Sequence, residues 1–111
     1  MRLFLDECLP HDLARALSAH HSVKTADDMG WNGIQNGRLL KALRESGEFD
    51  VFVTADKSLP HQQNLRDIPF AIVVLRLRST RVANVLARVP SLLQHLPLAR
   101  AGEVSVVPST D

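Results

Sequence analysis

The chain has 111 residues, 45% of them hydrophobic, and a formal net charge of +1. It is therefore long enough for one domain with a core, and its composition does not predict disorder. No apolar run approaches the roughly 18 residues of a membrane span, no signal peptide is recognisable, and the single cysteine excludes an internal disulfide. These features predict one cytoplasmic domain over residues 1–111 without a membrane partner.

The first stretch predicts a buried strand that ends in acids. Residues 3–5 form a short apolar run, typical of a strand covered on both faces. Asp6 and Glu7 follow directly, and Pro10 then suits the first turn of a helix. Ligands of open α/β sheets bind outside the carboxyl ends of the strands, so this junction is a candidate site. Cys8 lies beside the two carboxylates, which disfavour a thiolate, and is predicted to be unreactive.

The next third predicts a helix, a strand, a loop and a second helix. Apolar residues at helical spacing predict a helix over 10–19, and a short strand over 22–26 follows. The segment 27–37 is rich in glycine and asparagine and predicts a loop of the kind that often carries function. Asn36 is predicted to be the N-cap of the second helix, which ends at Gly47.

A strand predicted over residues 50–54 again ends next to an acid, Asp56. The alternation of strands and helices implies right-handed crossovers and therefore parallel neighbouring strands. In that arrangement Asp56 and Asp6 lie at the same edge of the sheet. Residues 60–65 predict a short helix or turn, and residues 70–75, the most strongly β-forming segment, predict a central strand.

The C-terminal part is basic and ends in a strand. An apolar helical stripe that begins at Val82 is predicted to break or kink at Pro90, and residues 103–107 predict an edge strand. Residues 68–102 contain no acid. Such a basic flank suits nucleic-acid phosphates, a solvated helix face or a docking surface for a partner. Its arginines are Arg76, Arg78, Arg81, Arg88 and Arg100.

The carboxylates of Asp6, Glu7 and Asp56 predict a divalent metal site. Clustered carboxylates repel one another unless a proton or a cation joins them. Mg²⁺ prefers oxygen ligands, commonly one or two carboxylates with a substrate phosphate, and it can activate water against a phosphodiester. Adjacent strand residues point to opposite faces, so Asp6 is the expected direct ligand and Glu7 acts through water or on the helix dipole. The alternative is that Asp6 and Asp56 cap the helices that follow them.

Five motifs, in this order, resemble those of a known family, and the resemblance covers nearly the whole chain. They are Leu5-Asp6-Glu7-Cys8-Leu9-Pro10, Met29-Gly30-Trp31-Asn32-Gly33-Ile34-Gln35-Asn36-Gly37-Arg38-Leu39-Leu40, Val53-Thr54-Ala55-Asp56-Lys57, Gln62-Gln63-Asn64-Leu65 and Ala71-Ile72-Val73-Val74-Leu75. Together they resemble the PIN-like domains that form the toxin halves of bacterial type II toxin–antitoxin pairs.

The resemblance implies a three-layer α/β/α fold with a mainly parallel sheet and a Mg²⁺- or Mn²⁺-dependent ribonuclease that a cognate antitoxin inhibits. Asp6 and Asp56 match the metal-binding acids, and Glu7 accompanies Asp6. Asn36 stands where many relatives have an acid, and Ser58 stands where relatives often have a further aspartate. Both departures remove charge that would hold the ion. The implied catalytic set is Asp6, Glu7, Asn36 and Asp56, and the apolar C-terminal region is predicted to bind the antitoxin or a second copy as a homodimer.

Two other functions fit parts of the pattern. The neutral Asn36 and Ser58 favour a binding module that keeps the PIN-like shape without catalysis. A receiver-like phosphoacceptor also has an acidic pair after its first strand and an aspartate after its third. It further needs a hydroxyl residue after the fourth strand and a lysine after the fifth, whereas Leu75-Arg76 and no lysine occur here. For the ribonuclease, the candidate RNA contacts are Arg38, Lys57 and the arginines of residues 76–88.

Overall fold

The computed structural model describes residues 1–59 and 67–108. Within them, strands and helices alternate along most of the chain. In order they are β1 (Arg2–Leu5), α1 (His11–Leu17), β2 (Ser22–Thr25), α2 (Ala26–Met29), α3 (Asn36–Ser46), β3 (Val51–Thr54), β4 (Ala71–Leu75), α4 (Val82–Leu86), α5 (Val89–His95), a 3₁₀ helix (Leu96–Leu98) and β5 (Val104–Val107). The helix or turn predicted over residues 60–65, with the motif at residues 62–65, lies outside the described residues.

The described strands form one sheet in the order β2-β1-β3-β4-β5, and every neighbouring pair is parallel. Helices α1, α4 and α5 cover one face of the sheet, and α3 covers the other. The predicted α/β class with a parallel sheet is therefore confirmed, in an arrangement compatible with three α/β/α layers. Both faces need covering because a parallel sheet exposes apolar side chains on each.

The side chains of β1 alternate between the two faces of the sheet and so contribute to two hydrophobic cores. Leu3 and Leu5 point to one face, where they pack with the apolar side of α1. Phe4 points to the other face and is completely buried. Its ring lies 5.6 Å from that of Trp31, 5.3 Å from Phe49 and 5.7 Å from Phe52, measured between ring centroids. The run of three apolar residues is thus shared between two hydrophobic clusters.

Several predicted boundaries differ from the observed ones because local hydrogen bonds decide them. Helix α1 is shorter than 10–19: Pro10 is extended and serves as its N-cap, and α1 ends at Leu17. The segment 27–37 is not entirely loop, because Thr25 and Asp28 form a capping box that starts the short α2.

Asn36 is the first residue of α3 rather than its N-cap, so that prediction is wrong. Gln35 holds the N-cap position without a side-chain hydrogen bond, and α3 ends at Gly47 as predicted. Pro90 lies in the first turn of α5, and the predicted stripe is broken into two helices there. Strand β5 lies at an edge as predicted, and β4 lies inside the sheet next to β3.

None of the helices in residues 1–59 and 67–108 has the length and apolar character that a membrane crossing requires.

Replacing Phe4 by alanine should destabilise the fold by about 3–5 kcal/mol, because it leaves a cavity among three aromatic rings. Leu98→Ala is the matched control, since Leu98 is 73% exposed and its loss should cost less than about 0.5 kcal/mol. Urea denaturation of the three proteins measures both changes. Equal losses for Phe4→Ala and Leu98→Ala would contradict this account of the core.

Candidate active site

A cleft opens where the strand order of the sheet reverses. Strand β1 has β2 on one side and β3 on the other. Helix α1, which follows β1, packs on one face of the sheet, and α3, which follows β2 and α2, packs on the other. Doubly wound sheets bind ligands at this point, outside the carboxyl ends of the strands. The cleft has a volume of about 350 Å³, and its lining residues are Asp6, Glu7, Cys8, Asn36, Ala55, Asp56 and Thr80. The structure thus brings all four residues of the predicted catalytic set to one cleft.

Thr54, the last residue of β3, connects the two aspartates. It is completely buried, and its hydroxyl donates to Oδ2 of Asp6 over 2.6 Å. The same hydroxyl oxygen accepts the backbone N–H of Asp56 at 3.0 Å. A buried hydroxyl needs partners for both its donor and its acceptor. Here both partners belong to the candidate site, so Thr54 sets the position of the Asp6 carboxylate relative to the chain at Asp56.

Asp6 is buried, with 9% of its surface exposed. Its Oδ1 accepts the backbone N–H of Glu7 at 2.9 Å, and its Oδ2 accepts the Thr54 hydroxyl. Burial raises the pKa of Asp6, and the charges of Glu7 and Asp56 add to that rise, while the two hydrogen bonds oppose it. A proton or a cation beside Asp6 would therefore be favoured.

Asp56 has the opposite electrostatic environment. Its Oδ1 accepts the backbone N–H of Ser58 at 2.9 Å and the Ser58 hydroxyl at 2.7 Å. Its Oδ2 accepts the side-chain amide of Asn36 at 3.3 Å. These donors, the Ser58 hydroxyl first among them, hold the pKa of Asp56 below its usual value. Asp56 therefore stays ionised under conditions that favour a proton on Asp6.

The structure excludes the capping alternative for Asp6. Asp6 does not cap α1, because Pro10 is the N-cap there and no side chain bonds to it. Asp56 does accept an N–H two residues ahead, the geometry of an Asx turn. Helix capping therefore does not explain the buried carboxylate of Asp6, whose structural contacts are with Thr54 and the Glu7 backbone.

Glu7 has a role that its sequence position did not indicate. Its Oε2 accepts the backbone N–H of Gly33 at 3.0 Å, and Gly33 has a φ of 78°, a conformation that favours glycine. Glu7 thereby ties the loop before α3 to the end of β1. Because that loop leads directly into Asn36, the contact helps to place the amide that reaches Asp56.

Two threonines of the site received no role in the sequence analysis. Thr54 could have been noticed as a hydroxyl at the end of a fully apolar strand, two residues before an acid. Thr80 lines the cleft from the loop between β4 and α4. In the sequence, Thr80 is marked only as a polar residue that follows a strand of a parallel sheet. Many residues fit that description, so the sequence does not single it out.

The predicted basic contacts do not gather in the cleft. Arg38 and Lys57 are exposed and do not line it. Arg88 is 8% exposed and donates to the carbonyl oxygen of Pro108. Its prediction as an RNA contact is therefore wrong, because the guanidinium is turned inward.

The chemistry of the lining limits which cofactor the cleft suits. Among residues 1–59 and 67–108, no group of three or more His, Cys, Asp or Glu side chains is arranged to hold a metal ion. The oxygen donors of the lining are the carboxylates of Asp6, Glu7 and Asp56 and the side-chain amide of Asn36, with the Glu7 carboxylate bonded to the Gly33 N–H. An oxygen set of this size fits a hard cation such as Mg²⁺ or Mn²⁺ that keeps most of its waters. Burial raises the pKa of the Cys8 thiol, which agrees with its predicted low reactivity.

Comparisons of the chain with protein-family models, with curated proteins and with solved structures gave no match. We therefore infer the function from the geometry and chemistry of the cleft.

Thr54→Val should destabilise the protein by about 1–3 kcal/mol, because it removes a hydrogen bond to the Asp6 carboxylate and leaves the part-buried N–H of Asp56 without its acceptor. It should also raise the pKa of Asp6 further, since the Thr54 hydroxyl lowers it. Thr54→Ser keeps the hydroxyl and is the control. Urea denaturation and NMR titration of the Asp6 carboxyl measure the two effects, and wild-type values for Thr54→Val would contradict the linking role.

Without a divalent cation, ionisation of Asp6 should cost stability. Its pKa is higher in the folded than in the unfolded chain, so between the two values the folded state holds a proton that the unfolded state has released. The stability of wild type relative to Asp6→Asn should therefore fall as the pH rises from about 3.9, the unperturbed value, through the raised pKa. Unfolding in EDTA at a series of pH values measures this difference, and a difference that grows with pH would refute the assignment.

Proposed function

We propose that the protein is a PIN-like, metal-dependent ribonuclease of the toxin–antitoxin type, which hydrolyses RNA phosphodiester bonds in the cytoplasm. The observation that carries the proposal is the Thr54 hydroxyl, which joins Asp6 and Asp56 at the switch point of a parallel sheet. A buried carboxylate that feels the charge of a second carboxylate at this place would attract a cation. The resemblance of the five sequence motifs supports the same function.

The residues of the cleft suit hydrolysis without a protein nucleophile. Asp6 and Asp56 would hold Mg²⁺ or Mn²⁺, and Asn36 orients Asp56 through its amide. The bound ion would supply charge neutralisation at the phosphate and lower the pKa of an attacking water. Cys8 is a poor nucleophile because burial disfavours its thiolate.

The proposed partners of the ribonuclease are RNA and a cognate antitoxin. The antitoxin would bind the C-terminal region of the chain, where a second copy of the chain is the alternative partner. Exposed apolar side chains in the C-terminal half support a protein partner of this kind. They are Val82, Leu86, Leu98 and Val106.

A catalytically weakened binding module is the principal alternative, and the neutral residues around Asp56 favour it. Ser58 and Asn36 satisfy the Asp56 carboxylate with hydrogen bonds rather than with further charge. Of the three carboxylates of the lining, Glu7 is bonded to the Gly33 N–H, so Asp6 and Asp56 remain for a divalent ion. Two carboxylates hold such an ion more weakly than three or four. The fold and cleft would be the same in both cases, so metal binding must separate them.

A receiver-like phosphoacceptor is a further candidate that two observations favour. The strand order is one that such proteins share, and Thr80 brings a hydroxyl into the cleft from the segment after β4. Against it, the chain has no lysine after Lys57, so β5 is not followed by one. A mass increase of Asp56 on treatment with a small phosphodonor would identify this function.

Mn²⁺ should support cleavage of a mixed RNA pool by wild type, and Asp6→Asn and Asp56→Asn should each reduce the rate by about 100-fold or more. Even loss of a residue that only orients a metal ligand costs roughly 10–100-fold. Glu45→Gln is the control, because Glu45 is exposed on α3 and pairs only with Lys41 across 3.9 Å among the described residues. Gel analysis of the RNA and the Mn²⁺-dependent rise in Tm provide separate readouts of catalysis and of binding.

Asn36→Asp adds the charge that the cleft lacks and should raise the Mn²⁺ affinity by roughly tenfold. If wild type neither cleaves RNA nor gains Tm with Mn²⁺, while Asn36→Asp gains Tm, the cleft is a weakened metal site and the binding module is the better description. If no variant responds to Mn²⁺, the metal proposal is wrong.

A further inference from the structure

The cleft has one wall to which the proposed reaction assigns no role. This wall is the loop of residues 76–81 between β4 and α4, called here the arginine loop, and Thr80 is its contribution to the cleft lining. We propose that the arginine loop binds the phosphate backbone of single-stranded RNA and that Thr80 donates a hydrogen bond to the phosphate nearest the two aspartates. The inference rests on the proposed function, for which it identifies a substrate-positioning element.

The topology of the sheet places the arginine loop beside the acids. Strands β3 and β4 are parallel neighbours with Thr54 and Val74 in register. Asp56 follows Thr54 by two residues, and Arg76 follows Val74 by the same number. Both segments leave the sheet at its carboxyl edge, so the loop and Asp56 lie on adjacent sides of one cleft.

Hydrogen bonds within the loop hold Thr80 in place. The Ser79 hydroxyl oxygen accepts the side-chain amide of Asn84 at 2.7 Å and the backbone N–H of Arg81 at 3.4 Å. Asn84 belongs to α4, so the loop is tied to a helix that packs on the sheet through the buried Val85. Thr80 therefore stands on a supported segment, as a residue that orients a substrate should.

The charge of the loop suits a polyanion. Arg76 and Arg81 lie on either side of Thr80, and both are exposed. The ion pairs within residues 1–59 and 67–108 are Arg2 with Asp50 and Lys41 with Glu45, so neither arginine is committed to one. A strand of RNA would thus meet positive charge at the rim and carboxylates, with their cation, deeper in the cleft.

The size of the cleft favours a single strand over a duplex. Its volume of about 350 Å³ is near the lower end of the roughly 300–1,000 Å³ typical of ligand sites. A space of this size suits a single phosphate with its nucleotide, which is what one strand of RNA would present to Thr80. An acidic protein segment would also be attracted to the arginines, but it would not place a phosphate against Thr80.

Fluorescence anisotropy tests the loop without requiring cleavage. The probe is a fluorescein-labelled single-stranded RNA of roughly ten nucleotides, titrated with the full chain in EDTA. Thr80→Val should weaken binding roughly tenfold because it removes a hydrogen bond to a charged group, and Thr80→Ser should restore it. Arg81→Gln should weaken binding. It should also reduce the slope of log K against log salt concentration by about 1, the value for one lost phosphate contact. Arg44→Gln, on the exposed surface of α3, is the control and should bind as wild type.

Alkylation of Cys8 locates the bound RNA. Cys8 is the single cysteine of the chain and lines the same cleft. Cys8 is exposed, so a maleimide can reach its thiol, although the raised pKa makes the reaction slow. RNA at a concentration near the wild-type Kd should slow this reaction in wild type. The same RNA concentration should give several-fold less protection in Thr80→Val, because its binding is roughly tenfold weaker.

The inference is overturned if Thr80→Val and Arg81→Gln bind like wild type, if Arg44→Gln weakens binding as much as they do, or if polyglutamate displaces the RNA at equal charge concentration. The last result would indicate an acidic protein partner. If RNA binding depends on the arginine loop but Mn²⁺ supports no cleavage, the inference stands and the proposed ribonuclease activity is wrong. If Thr80→Val leaves RNA cleavage unchanged, the proposed ribonuclease activity stands and the inference about the arginine loop is wrong.

Discussion

The hydroxyl of Thr54 is the contact on which the candidate site depends. It is buried at the end of β3, and its two hydrogen bonds reach Asp6 on one side and the backbone of Asp56 on the other. Pairing of β1 with β3 continues one residue past Leu5, where the N–H of Asp6 donates to the carbonyl oxygen of Val53 at 3.0 Å. The Asp6 carboxylate is therefore positioned by two contacts. The sheet holds the Asp6 backbone through Val53, and the Thr54 hydroxyl holds the side chain.

The two aspartates differ in the way their charge is stabilised. Asp6 is buried and receives two hydrogen bonds, which do not offset the cost of burial, so its pKa is raised. Asp56 is less buried and receives three hydrogen bonds from Ser58 and Asn36, so its pKa is lowered. Acidic pairs whose environments push their pKa values apart are a recurrent feature of catalytic sites.

Two rims of the cleft are built by the same kind of contact. On one side, Glu7 accepts the N–H of Gly33 and fixes the loop that enters α3. On the other side, Ser79 accepts the amide of Asn84 and fixes the loop that enters α4. In both cases a polar side chain accepts a hydrogen bond from a group near the beginning of a helix. The central acids are therefore flanked by loops of defined shape.

The sequence by itself determined the class of the fold and the edge of the sheet at which the acids meet. Apolar runs separated by helical patterns require parallel strands, and parallel strands bring Asp6 and Asp56 to one edge whatever the remaining details are. It did not determine the role of Asn36, because an asparagine before a helix suits an N-cap and a contact to Asp56 equally well.

Tertiary structure decided that Asn36 faces Asp56, that Glu7 bonds to Gly33, and that Arg88 is turned inward toward Pro108. It also revealed Thr54 and Thr80, whose roles depend on which strands are neighbours. The physical reason is the range of the interactions. Periodicity and turn chemistry act between residues close in sequence, whereas Thr54 and Asp6 are 48 positions apart and are joined only when the sheet has formed.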